Sequence, residues 1–121
     1  MRKKCIKLMV SSSINLHLYG FGSFFKNLPC YSDIDLLIVH ESLSSPSRKA
    51  SVALKNHILK NFSKCDVSIL SKNEELETKF IEKAKASLIC SIINFKLYSD
   101  FDHVLIALNS VGVEVDHNVC A

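Results

Sequence analysis

Residues 33–39 read Asp-Ile-Asp-Leu-Leu-Ile-Val, and this run constrains the fold more than any other stretch of the chain. Four successive apolar residues after a polar opening predict a buried strand over Asp33–His40. Side chains two positions apart in a strand share a face, so Asp33 and Asp35 are expected to stand side by side while Ile34 turns into the core. Like charges held that close repel and raise each other's pKa unless a cation lies between them. A divalent metal is the usual solution.

The flanking segments predict the rest of the order. Ile14–Tyr19 alternates apolar with polar and runs into Gly20-Phe21-Gly22, a strand entering a tight turn, with a short helix expected ahead of it. A single helical turn over Ser23–Lys26 is stopped by Pro29. Ser45-Pro46 is an N-cap and first-turn signal for a helix to about Asn61. Its buried face is expected at Val52, Leu54, Ile58, Leu59 and Phe62, and its solvent face at Arg48, Lys49, Lys55 and Asn56. Cys65–Leu70 alternates again as a third strand, and Ser71-Lys72-Asn73-Glu74 has the form of a capping box. Leu76, Phe80, Ala84, Leu88 and Ile92 then recur every four residues, joined by Ile81, Ile89 and Phe95, which predicts one long helix. The last twenty residues suggest a short helix and a final strand over Val111–Val115. Strands alternating with helices predict an α/β or α+β domain, a small sheet covered by helices.

Length sets the scale of what such a chain can do. At 121 residues, 48% hydrophobic and 22% charged, it fits a single domain over 1–121 with one core and no room for a separate substrate domain. The net charge of +3 is spread along the sequence, without the run of like charges that marks a nucleic-acid tail. Five cysteines, odd in number and never in a CxxC arrangement, read as reduced thiols in a cytosol. The N-terminal basic residues precede an apolar stretch that Lys7 interrupts, a poor secretory signal, and no window of eighteen uncharged apolar residues suggests a membrane span.

Three features carry chemistry: the turn Gly22-Ser23, the paired carboxylates Asp33 and Asp35, and the lone Asp66 in the third strand. If the second and third strands are neighbours, Asp66 lies beside Asp35 on one face. Carboxylates around two Mg²⁺ ions are an arrangement suited to phosphoryl and nucleotidyl transfer, and magnesium completes its shell with phosphate oxygens and water. Gly22 lets backbone approach a phosphate, with amides at the start of the next helix pointing at the anion. The bland readings are a solvated strand end for the Asp33/Asp35 pair, a solvent-facing Asp66, Ser23 as a simple N-cap and Lys26 as a surface lysine. His17, His40, His57, His103 and His117 show no metal-ligand spacing, Cys65 is expected in the core, and no Gly-x-Ser-x-Gly elbow or other signal supports a Ser-His-Asp hydrolase.

Phe21-Gly22-Ser23, a spacer of nine residues, Asp33-Ile34-Asp35 and the later Asp66 resemble the nucleotidyltransferase superfamily related to DNA polymerase beta, and within it the minimal nucleotidyltransferases of bacteria and archaea. The match spans roughly 14–70, with Gly22-Ser23-Phe24-Phe25-Lys26 similar to the family's Gly-Ser-Phe-Ala-Lys-Gly and Ser32-Asp33-Ile34-Asp35-Leu36-Leu37 close to its Ser-Asp-Ile-Asp-Leu-Leu. The resemblance implies a small mixed sheet flanked by helices, a catalytic core about 14–70 and a helical C-terminal part about 73–110. By the same resemblance Gly22, Ser23 and Lys26 bind the nucleotide triphosphate, Asp33, Asp35 and Asp66 ligate two Mg²⁺ ions, and Asp66 serves as general base. It further implies transfer of a nucleoside monophosphate, with ATP as donor, to an acceptor hydroxyl. The acceptor would lie on an all-helical HEPN-type toxin for which the chain is the antitoxin, or recognition would come from a homo-oligomer. Two other classes fit the residues: a small-molecule enzyme of the aminoglycoside-modifying kind, and a non-catalytic partner-binding module. Asn27 stands where the family often has a second glycine, Phe25 is bulkier than the usual alanine, and the spacer is shorter by about one residue.

Overall fold

The computed structural model describes residues 14–27, 33–96 and 98–114, so the helix expected ahead of the first strand lies outside the described residues. Four strands form one sheet in the order β3-β2-β1-β4: β1 (Leu16–Phe21), β2 (Ile34–His40), β3 (Cys65–Ser71) and β4 (Ser87–Ile92). Three helices of seven residues or more accompany them: α1 (Ser45–Asn61), α2 (Lys72–Thr78) and, after the five-residue α3 (Phe80–Ala84), α4 (Asp102–Ser110). Short 3-10 turns occupy Phe24–Lys26 and Tyr98–Phe101. β1 and β2 are antiparallel neighbours, whereas β2 and β3 run parallel because α1 carries the chain back across the sheet. The sheet is therefore mixed, as expected of an α+β domain with helices packed on a small sheet.

β2 is central, and Leu36, Leu37, Ile38 and Val39 are all buried, which accounts for an apolar run without alternation. On one face Leu16, Leu18, Ile34, Leu36, Ile38, Cys65 and Val67 meet Ala50, Leu54 and Ile58 of α1 and Val104 and Leu108 of α4. α1 begins one residue earlier than its proline suggested: the Ser44 hydroxyl accepts the Ser47 amide at 3.3 Å, with Pro46 in the first turn. Its inward stripe is Ala50, Leu54 and Ile58, four apart; Val52 falls half a turn away and is 50% exposed, correcting its expected burial.

The long helix expected from residue 73 is not formed. The capping box does start α2, with Ser71 Oγ accepting the Glu74 amide at 3.1 Å and Glu74 Oε1 accepting the Ser71 amide at 2.8 Å. Lys79 then takes φ 55° and Lys85 φ 56°, left-handed conformations that end α2 and α3. Ser87–Ile92 pairs antiparallel with β1 and supplies the strand that β1 otherwise lacks on that side. The helical C-terminal part about 73–110 is thus two short helices, a strand and α4. A spacing of four over Leu76–Ile92 satisfies a helical stripe, yet Leu88, assigned inward by that stripe, is 57% exposed. The expected final strand is also absent over its described part, 111–114. Gly112, at φ 101°, and the Val113 amide, donating to the Leu108 carbonyl at 3.0 Å, instead close the C-terminus of α4. Among the described residues no helix is long and apolar enough to cross a membrane.

Candidate functional site

One row of residues crosses the sheet at the end of β1. Phe21 pairs with Asp35 in β2, and Asp35 pairs with Asp66 in β3, so these three side chains share a face. Asp33 precedes β2 by one residue and is exposed. The Ile34 amide donates to the Lys64 carbonyl at 3.0 Å, tying the start of β2 to the turn that leads into β3. Asp35 is half-buried and Asp66 exposed, while Cys65, one residue away, is buried in the core as its alternation predicts.

Electrostatically the row is repulsive. Burial pushes the Asp35 carboxyl above the usual aspartate range, and the charges of Asp66 and then Asp33 push it further. Among the described residues no lysine, arginine or histidine forms an ion pair with any of the three. Nor does any group of three or more His, Cys, Asp or Glu among the described residues converge into a metal cage of its own. The donor chemistry still fits magnesium, which takes one or two carboxylates and fills its octahedron with water and phosphate oxygens. Half-buried and exposed carboxylates without a paired cation among the described residues are donors of the kind such a shell uses.

Gly22 closes over this row. Its φ is +82°, and a Cβ there would run into Asp35 Oδ2, with the carboxyl carbon only 3.2 Å away. Conformation and space both require glycine. Ser23 follows in helical conformation without a side-chain cap bond, while its carbonyl accepts the Lys26 amide at 3.2 Å; its hydroxyl is not spent on capping. Lys26 is exposed. The segment is a three-residue turn, too short to carry an appreciable helix dipole, so an anion here would meet loop amides and side chains.

Two positions at which the sequence resemblance breaks have structural counterparts. Asn27 adopts φ 60°, the left-handed region that asparagine tolerates best after glycine. The Phe25 ring lies against Gly20, where an added Cβ would sit 2.6 Å from Cε1, so the larger side chain is accommodated by a glycine five residues upstream in β1. Gly20 is a contributor that the motif did not flag. So is Phe80: its ring meets Phe21 edge-on at 5.1 Å, making an apolar wall beside Asp35. No protein-family model, curated protein or solved structure matches the chain.

Proposed function

We propose that the chain is a magnesium-dependent nucleotidyltransferase that moves a nucleoside monophosphate from a nucleoside triphosphate, with ATP as the favoured donor, to an acceptor hydroxyl. The observation that carries this reading is the direct pairing of Asp35 with Asp66 under Gly22, with Asp33 adding a third negative charge. Asp33, Asp35 and Asp66 would hold the metal. Bound there, magnesium would neutralise phosphate charge and stabilise the attacking and leaving oxygens.

The remaining work falls to the chain itself. Gly22 and Ser23 hold the triphosphate through backbone and hydroxyl, and Lys26 adds a positive charge. Phe21 and Phe80 give the ribose or base an apolar wall. Asp66, the exposed carboxylate of the pair, accepts the proton of the acceptor hydroxyl as its oxygen attacks the α-phosphorus and pyrophosphate departs. We further propose that the acceptor belongs to a partner protein, an all-helical ribonuclease toxin for which the chain is the antitoxin. Leu88, Ile93, Ile106 and Val111, each at least 44% exposed, supply apolar contact surface toward the C-terminal side.

The test is thermal unfolding with ATP, CTP, GTP or UTP, with and without Mg²⁺, beside an Asp33→Asn/Asp35→Asn double variant. Ligand at about a hundred times its dissociation constant adds roughly 2.7 kcal/mol, so a metal-dependent rise lost in the variant is expected. No rise with any nucleotide would transfer the reading to a partner-binding module without catalysis. Protection against a co-expressed toxin that survives Asp35→Ala would likewise favour such a module.

A further inference from the structure

A second cluster lies at the opposite end of β1, independent of the carboxylate row. His17 is the second residue of β1 and pairs with Ser91 of β4, while Glu41 follows the last residue of β2. The three are far apart in sequence, which is why no motif announced them. His17 Nε2 lies 2.6 Å from Glu41 Oε2, and His17 Nδ1 lies 2.7 Å from Ser91 Oγ. A carboxylate only accepts, so Nε2 carries a proton and donates it to Glu41, and in the neutral ring Nδ1 accepts the Ser91 hydroxyl hydrogen. Asn15 Nδ2 donates to Glu41 Oε1 at 3.0 Å. That amide first, then His17, holds the Glu41 carboxyl below the usual range and so ionised. This is the order of roles in a nucleophilic serine, its base and the acid that orients the base, with the two ring nitrogens exchanged.

Ser91 also borders a cavity of about 520 Å³ lined by Ile93, Asn94, Lys96 and His103 among others, within the roughly 300–1,000 Å³ of small-molecule sites. Isoleucine offers an apolar wall for an acyl group. Asn94, Lys96 and His103 bring donor side chains to the lining, and Asp100 brings a carboxylate. The Lys96 amide donates to Asp100 Oδ2 at 3.1 Å.

We propose that Ser91, His17 and Glu41 form a nucleophilic site that cleaves short-chain carboxylic esters. Ser91 Oγ bonds to the ester carbonyl carbon as its proton passes to His17 Nδ1, and the alcohol leaves with that proton. Water then attacks the acyl-serine, gives a proton to Nδ1, and the carboxylic acid departs as Oγ recovers it.

The test is fluorophosphonate labelling read by intact mass and peptide mapping, with p-nitrophenyl acetate hydrolysis alongside. The folded protein is expected to take one adduct on Ser91 and to release p-nitrophenolate above the buffer rate. Ser91→Ala should lose the adduct and the excess rate. Glu41→Gln keeps the size of the side chain and should slow labelling about tenfold or more, because the orienting charge and tautomer are lost. Labelling before and after unfolding in urea asks the same question without a variant, and is expected to fall on unfolding. An unlabelled Ser91 in the folded chain, equal labelling after unfolding, or indifference to Glu41→Gln would reduce the cluster to a structural tie between strands and overturn the proposal.

Discussion

Asp35 and Asp66 stand directly opposite each other across the parallel β2–β3 ladder, with no cation paired to either among the described residues. The folded state therefore favours the protonated form of Asp35, whose pKa is raised by burial and by Asp66 and Asp33. Between the unfolded and the folded pKa the folded chain binds more protons, so stability falls as pH rises through that window, and the loss is complete above it. In divalent-free buffer at neutral pH, Asp66→Asn should raise stability by on the order of a few tenths of a kcal/mol, since the carboxylates stay partly solvated. Asp35→Asn should raise it more, because it also removes the burial contribution. Melting curves of the wild type and Asp35→Asn from acid to neutral pH check this by their difference, because Glu41 and Glu74, whose pKa values are lowered, act with the opposite sign in both proteins; a wild type that gains on the variant as pH rises would refute it. Added Mg²⁺ should help the wild type more than either variant.

Gly20 and Phe25 are expected to be energetically coupled. Gly20→Ala pushes a methyl into the Phe25 ring, an overpacking that costs about 1–3 kcal/mol. Phe25→Ala in the same background should return part of that loss, so the double variant falls short of the sum of the singles. Urea denaturation of all four proteins closes the cycle. Strict additivity would mean that the ring moves aside freely.

The ends of elements were legible where a local signal and the fold agreed. Ser71 and Glu74 announced α2 because a capping box satisfies two backbone amides whatever lies downstream, and the Asp33–Val39 run announced β2 because only a covered strand buries four apolar residues in a row. The pairing of Asp35 with Asp66 was readable as soon as β2 and β3 were taken as neighbours. β4 was not legible. Leu76, Phe80, Ala84, Leu88 and Ile92 satisfy a helical period, and the vacant side of β1 that draws Ser87–Ile92 into a ladder is a tertiary fact. The role of Gly20 was hidden for a similar reason: it depends on where the ring of Phe25 lands. Ser91, His17 and Glu41 meet only after three strands have paired.

Lys79 and Lys85 carry the break that replaces the long helix. Both occupy the left-handed region, which costs a residue with a β-carbon about 1 kcal/mol or more. Lys79→Gly and Lys85→Gly should each stabilise the chain by about 0.5–1 kcal/mol, net of the entropy glycine adds to the unfolded state. Val at either position should destabilise. Were this segment one continuous helix, glycine would instead cost about 1 kcal/mol, so the sign of the change in urea midpoint discriminates the two conformations.

His57 tests the packing of α1 on α4. Its ring lies 5.6 Å from that of Phe101, yet its buried Nε2 has no hydrogen-bond partner, and Asp102 Oδ1 is 3.9 Å away. A buried polar atom without a partner costs about 1–3 kcal/mol, whereas leucine would keep the apolar contact with Phe101 and strand nothing. His57→Leu is expected to raise stability by about 1 kcal/mol in mildly alkaline buffer, measured by urea denaturation. Asp102→Asn should change it by less, because that carboxylate is 70% exposed and too distant for a hydrogen bond. A loss of stability in His57→Leu would mean that Nε2 is satisfied in solution, by Asp102 or by an ordered water, and the matched Asp102→Asn measurement tells which: a comparable loss implicates the carboxylate, and no loss implicates the water.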